Sequence, residues 1–472
     1  MSEARTAKGD SARSPRQTKK TLDRGSASTK SSRKVKKAAN NSFRQELLAA
    51  ITFFLPASLF ARFAVRPDVR WIPRKIAIVA ILMVWNESTA LIDGFNMARN
   101  CAIQMFPGSR RVGATYQGFS KAWIKWSPRL LTSVVRHLRT MMMHTAGRFW
   151  TVQGWLAFAV DGSRIDLPRT KANEKAFGCG GKKKTHPQAW LTTIWHLGLG
   201  LPWAWKIGKA DASERNHLRQ MIPLLPLNCL LVADAGFTGY DLWRLIIDTG
   251  HAILIRVGSN VRLLKNLGYH YEKHGNIVYL WPKDKRDQEP LVLRLICLHT
   301  GKRPVYLITN VSNESDLSDQ TAAMLYRMRW GIEVFYRSLK QILKRRKMRS
   351  EAPVQAALEL RWSMTGLMLL GLMGVKNLMD QGHEPKALST AKALRHIRTV
   401  MHHPSGRYRR GHSLAKQLGN AVKDTYQRRS SKEARDWPHI KKEKPAGKPK
   451  IETATPLDIA QALNIRARKR AA

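Results

Sequence analysis

The middle of the chain has a fixed succession of apolar runs and helical patterns, and this succession limits the folds that it can adopt. Short apolar runs typical of buried strands occupy residues 156–160, 190–199, 201–207, 230–233 and 252–257. A helical pattern that starts with a capping box, Asp211-Ala-Ser-Glu214, separates the third run from the fourth, and a second pattern separates the fourth from the fifth. The order of three strands, helix, strand, helix and strand predicts an α/β core.

The sequence on either side of this core has different patterns. Strand-like segments separated by charged turns indicate a β-rich insertion, and a long helical pattern from Asp319 to Lys347 follows it. We predict a disordered basic arm (1–42), a helical domain (43–150), an α/β core (151–257 and 312–350) interrupted by the insertion (258–311), a C-terminal helical region (351–425) and a basic, disordered tail (426–472).

Two local patterns in the first helical domain make more detailed predictions. Ser127 followed by Pro128 predicts the start of a helix. Four aromatic residues precede this pair at helical spacing and alternate with lysines: Tyr116, Phe119, Trp123 and Trp126. Aromatic rings among lysines can bind DNA, but at this spacing they more often pack in a core, and we favour the core interpretation.

The charge of the chain indicates its partner. There are 82 Lys and Arg residues against 33 Asp and Glu residues, which gives a net charge of +49. The two ends carry +9 and +8 of this charge, so +32 remains on residues 43–425. A folded body with this excess is expected to bind a polyanion, with nucleic acid favoured.

An anionic membrane is the alternative polyanion. The longest uncharged apolar stretches, residues 76–85 and 363–375, are shorter than the roughly 20 residues that span a bilayer. The basic arm lacks the apolar stretch of a signal peptide, and the four cysteines form no C-x-x-C pair. We therefore expect a cytoplasmic protein that has no membrane partner.

Two aspartates, Asp161 and Asp234, each follow a predicted buried strand. Functional sites in open α/β sheets form at the carboxyl ends of strands. A carboxylate at that position is costly to desolvate unless it is paired or holds a cation. Each aspartate taken alone is equally compatible with capping the next turn, as the sequence Asp161-Gly162-Ser163 illustrates.

The long helical pattern adds a third acid, and it has the form Y-x2-R-x3-E-x6-K. At about 100° per residue its four side chains project within an arc of roughly 60°. The four residues are Tyr326, Arg329, Glu333 and Lys340, and Arg337 and Lys344 share their face.

A solvated face with salt bridges between neighbouring turns is the alternative reading of this pattern. The face has too few acids to pair its own cations, so the cations favour phosphate groups. Glu333 is then suited to be a metal ligand beside a phosphodiester. Together with the two aspartates it would complete three carboxylates that can hold two Mg²⁺ or Mn²⁺ ions.

These motifs resemble those of bacterial insertion-sequence transposases of the DDE type, in the group that has the Y-R-E-K signature. The resemblance rests on the Y-R-E-K helix followed by Arg349-Ser350, on Asp161-Gly-Ser, and on Asp234-Ala-Gly followed by Phe237-Thr-Gly-Tyr240. It extends over roughly residues 45–450. One departure is Ala235, since related proteins often have arginine after the second aspartate.

The resemblance implies an RNase H-like catalytic domain with a β insertion between the second aspartate and the glutamate. The implied catalytic and metal-binding residues are Asp161, Asp234 and Glu333. Tyr326, Arg329 and Lys340 are implied to position the DNA strand, and we add Arg337 to them because it shares their face. We expect two Mg²⁺ or Mn²⁺ ions as cofactors.

The implied function is metal-dependent cleavage of double-stranded DNA at the terminal inverted repeats, followed by strand transfer into target DNA. Residues 43–150 would bind the element ends. The protein would act as at least a dimer in the synaptic complex and associate with the bacterial nucleoid when bound to DNA. The alternatives are a nuclease of the same fold without strand transfer and a non-catalytic DNA-binding protein derived from a transposase.

Overall fold

The computed structural model describes residues 42–66, 68–107, 112–180, 185–299, 304–424 and 447–471. The predicted basic arm lies outside these ranges except for Ser42, and so does the 426–446 part of the predicted tail. The strands are β1 (Ala157–Asp166), β2 (Gln188–His196), β3 (Leu201–Gly208), β4 (Leu230–Ala233), β5 (Ala252–Val257), β6 (Arg262–Lys265), β7 (Ile277–Leu280), β8 (Leu291–Leu298), β9 (Val305–Thr309) and β10 (Lys450–Thr453).

The helices surround one sheet. They are α1 (Phe43–Phe54), α2 (Ser58–Ala61), α3 (Pro73–Trp85), α4 (Leu91–Met105), α5 (Tyr116–Ala146), α6 (Lys171–Phe177), α7 (Glu214–Met221), α8 (Tyr240–Asp248), α9 (Asp319–Met328), α10 (Gly331–Arg337), α11 (Pro353–Met379), α12 (Thr390–His402), α13 (Leu414–Gly419) and α14 (Pro456–Ala471). Among the described residues, no helix is both long enough and apolar enough to cross a membrane.

The strands form one sheet in the order β3-β2-β1-β4-β5-β9-β8-β7-β6-β10. The first three strands pair antiparallel, and β4 and β5 run parallel to β1. Every residue of β4 is buried, as expected for a central strand that is covered on both faces. The predicted order of strands and helices is confirmed, and this topology is that of the RNase H-like fold.

The β-rich insertion continues the same sheet. Strand β9 pairs antiparallel with β5, and β8, β7 and β6 follow it outward. These strands are mostly apolar, and all four residues of β7 are buried, so the insertion shares the packed core of the main sheet.

The end of the described chain closes the outer edge of the sheet. Strand β10 pairs parallel with β6, and α14 packs beside the insertion, where Asp458 forms an ion pair with Arg286 at 2.7 Å. The prediction of a disordered tail is therefore wrong for residues 450–471. Three of its four prolines precede the strand, and the fourth, Pro456, is the first residue of α14. Ala462 in that helix is fully buried.

The helical regions on the two sides of the core pack against each other. The indole of Trp85 in α3 donates to the carbonyl of Gly366 at 2.9 Å, and Trp362 donates to Ser127 at 2.8 Å. Helices that come before the sheet in the chain and helices that come after it therefore share one hydrophobic core. The sequence analysis assigns these helices to two separate regions.

The predicted helix start at Ser127 is wrong. Helix α5 begins after Thr115, whose side chain accepts from the amide of Gly118, and it runs through Pro128. The proline ring lies on the exposed side of the helix, where it does not disturb packing. The core interpretation of the upstream aromatics is confirmed, since Phe119 and Trp123 are buried.

The predicted long helix from Asp319 to Lys347 is also interrupted. Helix α9 ends at Met328, α10 begins at Gly331, and residues 338–342 have the wider winding of a π-helix. Lys344, with φ of +53°, then ends the helical path. Such π-helical turns are frequent at functional sites because they shift the direction of the side chains that follow.

Candidate metal and DNA site

The two predicted aspartates lie side by side in the sheet. The parallel pairing of β1 with β4 ends at the pair Ala159 and Val232, and each aspartate is two residues beyond its strand's member of that pair. Strand β1 does not end at Asp161 as predicted, because it continues to Asp166 through its antiparallel pairing with β2. Asp161 is therefore held within a strand, and Asp234 follows the end of one.

Each aspartate is oriented by the backbone amide of a residue one or two positions further along the chain. A side-chain oxygen of Asp161 accepts from the amide of Gly162 at 2.8 Å, and one of Asp234 accepts from the amide of Gly236 at 2.9 Å. One oxygen of each carboxylate is thus occupied by the protein. The second oxygen has no hydrogen bond to a described residue.

Glu333 comes from α10, which is anchored to the strand that carries Asp161. The hydroxyl of Tyr336, three residues further along α10, donates to the backbone carbonyl of Asp161 at 2.7 Å. At the start of the helix, Gly331 lies so close to the ring of Trp195 that any side chain at this position would clash. These two contacts fix the carboxylate-bearing turn against the sheet.

The remaining residues of the Y-R-E-K pattern surround the acids. The guanidinium of Arg329 is buried, lies over the ring of Tyr326 at 5.6 Å and approaches the carboxylate of Glu333 at 3.8 Å. The ammonium of Lys340 donates to the hydroxyl of Ser163 at 2.7 Å. The structure thus brings Tyr326, Arg329, Glu333 and Lys340 to one place, despite the interrupted helix.

Arg337 lies one turn after Glu333 in the same helix, α10. It lines an apolar groove between α10 and the C-terminal helices, with Trp195, Phe335 and Lys423 among the other lining residues. Its role in DNA binding stays a prediction.

A fourth acid, Glu214, lies between the two aspartates. It is the first residue of α7, and its carboxylate occupies the space beside Gly162 that a side chain at that position would need. A side chain on Gly236 would also approach it, at 3.7 Å. The sequence identified Glu214 only as part of a helix-capping pattern, and nothing in that pattern indicated that α7 begins over the aspartates.

The four carboxylates are called the acid cluster below, and burial together with neighbouring negative charge raises the pKa values of Asp161, Glu214 and Glu333. Burial, reinforced by the charges of Asp234 and Glu333, raises the pKa of Asp161 to about 6. Burial and the charges of both aspartates raise the pKa of Glu214 to about 7. Burial also raises the pKa of Glu333, although Arg329 opposes this shift. The positively charged side chains nearby therefore do not fully offset the effects of burial and negative charge on these pKa values.

This donor set fits a divalent cation of the Mg²⁺ or Mn²⁺ kind. Those ions prefer carboxylate oxygens, and each aspartate has an oxygen that is not bonded to the protein. In the described part of the chain no three Asp, Glu, His or Cys side chains are close enough together to hold a metal ion as they stand. Ionised carboxylates repel one another, which favours such an open arrangement. A bound ion would have to bring the carboxylates closer together.

The comparisons with known proteins agree with the predicted resemblance. Residues 156–369 match the family described as transposase DDE domain, a span that includes all four acids. Over this span the chain is similar to the DDE-type transposases of insertion sequences.

A curated relative is the transposase InsG for insertion sequence element IS4 of Escherichia coli (strain K12). It is 24% identical over 367 residues, which covers 72% of this chain and 79% of the relative. A similar solved structure is the cryo-EM structure of the piggyBac transposase synaptic complex with hairpin DNA. It is 11% identical, has a TM-score of 0.38, and covers 84% of this chain and 86% of that one.

Proposed function

We propose that this transposase cleaves DNA at the ends of an insertion sequence and joins the freed 3′ ends to target DNA. The observation that carries the proposal is the alignment of Asp161 and Asp234 in adjacent parallel strands, with Glu333 fixed to the first of them by Tyr336. These three acids would hold one or two Mg²⁺ or Mn²⁺ ions. When bound, such ions activate the attacking oxygen and stabilise the leaving oxygen of a phosphodiester.

The residues around the acids are suited to hold a DNA strand. Arg329 is buried, and its Nε atom has no hydrogen-bond partner among the described residues. A buried donor without a partner is costly, so a phosphate oxygen would be a favourable acceptor. Lys340 is held near Asp161 by its bond to Ser163, where its charge would attract the same strand.

Helix α5 offers a second surface for DNA, and we propose that the helical domain of residues 43–150 binds the element ends there. Lys121, Lys125 and Arg129 are exposed and recur every four residues, so they line one face of this helix. A row of cations with this spacing can follow a phosphate backbone. Joining two ends requires that both be held together, so the proposal implies at least a dimer on DNA.

The test is the variant Glu333→Gln, which keeps the size of the side chain and removes the charge. With Mg²⁺ and a duplex that carries the element end, we expect cleavage to fall by more than about 100-fold, because even outer-shell partners of a metal typically contribute about 10- to 100-fold. DNA binding in a gel-shift assay should be retained. Glu314→Gln, at an exposed glutamate outside the acid cluster, is the matched control.

The other outcomes separate the alternatives. Unchanged cleavage by Glu333→Gln would refute the metal-binding role of Glu333. A wild-type protein that binds the duplex but never cleaves it would be a DNA-binding protein derived from a transposase. Cleavage without strand transfer from pre-cut ends would indicate a nuclease. Inverted repeats found by sequencing the DNA that flanks the gene would supply the substrate.

A further inference from the structure

Glu214 has a position that its role in starting a helix does not require. An acid in the first turn of a helix is favourable because of the helix dipole, wherever its carboxylate points. Here the carboxylate points back over the sheet and fills the space beside Gly162, between the strand positions of Asp161 and Asp234. None of the described residues forms an ion pair with it.

Helix α7 is held in this position by contacts on its buried face. His217, one turn after Glu214, forms a hydrogen bond of 2.9 Å with Thr192 in β2 and packs against Gly208 at the end of β3. Ser213 caps the helix by accepting from the amide of Asn216. The direction of Glu214 is therefore set by the packing of α7 on the sheet.

A second observation points to a ligand at this place. The indole nitrogen of Trp190 lies 2.8 Å from the position that a side-chain carbon on Gly162 would occupy, next to the carboxylate of Glu214. This nitrogen is buried and has no hydrogen-bond partner among the described residues. Buried donors are normally satisfied, so an acceptor such as water or a phosphate oxygen is expected beside it.

We propose that Glu214 is a fourth carboxylate of the metal site, where it would bind the divalent cation directly or through one of its waters. The proposal rests on the proposed function above. Gly162 then has a purpose, since a side chain at this position would take the space that the carboxylate of Glu214 occupies beside the two aspartates.

The experiment measures Mn²⁺ binding to the full chain without DNA, by electron paramagnetic resonance of free Mn²⁺ at pH 8. The variants are Glu214→Gln, Asp161→Asn and the control Asp211→Asn, which removes the same charge from an exposed residue three positions before Glu214. We expect Glu214→Gln to weaken Mn²⁺ binding by about 10- to 100-fold and Asp211→Asn to leave it unchanged. Asp161→Asn should weaken binding at least as much.

Thermal unfolding distinguishes a metal-binding role from a structural one. Without metal, Glu214→Gln removes repulsion from the acid cluster, so its melting temperature should equal or exceed that of the wild type. With Mn²⁺ the order should reverse, because the wild type gains more from the ion. A lower melting temperature of the metal-free variant would show that the fold itself requires Glu214, and would overturn the proposal.

The Mn²⁺ titration also separates this proposal from the function on which it rests. If Asp161→Asn weakens binding and Glu214→Gln does not, the fourth ligand is refuted and the proposed function stands. If wild type and Asp161→Asn bind Mn²⁺ equally, the metal site itself is refuted, and the role of Glu214 is refuted with it.

Discussion

The hydroxyl of Tyr336 connects the helix of Glu333 to the strand of Asp161, and Tyr336→Phe removes this connection while keeping the buried ring. The ring is buried, and burial, followed by the charge of Asp161, raises the pKa of the phenol far above its usual range, so the group is neutral. Its proton is donated to the Asp161 carbonyl at 2.7 Å, and the Leu191 carbonyl lies further away at 3.3 Å.

The expected loss of stability follows from the strength of a neutral hydrogen bond. A neutral hydrogen bond contributes about 1 kcal/mol net, and a buried acceptor that loses its donor costs about 1–3 kcal/mol. We therefore expect Tyr336→Phe to reduce the free energy of unfolding by about 1–3 kcal/mol. Because α10 would then be held less firmly to β1, half-maximal cleavage should also require more Mg²⁺ than in the wild type.

Urea denaturation of the metal-free protein measures the first effect, as a lower midpoint with an unchanged slope. Tyr271→Phe, at an exposed tyrosine, is the control and should change stability by less than about 0.5 kcal/mol. If Tyr336→Phe is as stable as this control, the bond to Asp161 does not hold the helix. An unchanged Mg²⁺ requirement would refute the positioning role alone.

Three further predictions concern the same region. Gly331→Ala places a methyl group against the ring of Trp195, so unfolding should be easier by about 1–3 kcal/mol in urea; unchanged stability would show that the helix shifts freely. Glu359→Ala leaves the buried guanidinium of Arg345 without its acid and should reduce the free energy of unfolding by about 3–5 kcal/mol in the same assay. Burial and neighbouring negative charge raise the pKa of Asp161 to about 6 and that of Glu214 to about 7, so the metal-free protein should lose a few kcal/mol of stability as the pH rises from about 4 through these values. A melting temperature that does not fall from pH 5 to 8 would contradict this.

The sequence was sufficient for the fold class because each strand of the core is a short apolar run with a clear end. It also predicts a site at Asp161, Asp234 and Glu333, and the structure brings these three residues to one region through strand register and a helix anchor. Strand bounds were less accurate, since β1 continues past Asp161 with polar residues that its pairing with β2 stabilises.

The errors arose where tertiary contacts decide the local structure. The sequence predicts one continuous helix from Asp319 to Lys347, but the structure breaks it between Met328 and Gly331 and gives residues 338–342 a π-helical turn. Glu214 was missed because its function depends on where α7 begins above the sheet, which helical periodicity does not determine. The strand β10 was missed because four residues carry too little pattern to be recognised without their partner β6.

The pairing of β10 with β6 also sets an order of events for the newly made chain. Residues 450–453 pair with residues 262–265, so nearly 190 residues must be synthesised after β6 before its outer edge can be covered. Until then β6 presents unpaired backbone groups, which favour association with other strands. Closing so long a loop is also slow relative to local contacts. A chain that is cut or stalled before residue 450 would therefore expose a sheet edge, and we expect such fragments to aggregate more readily than the full chain.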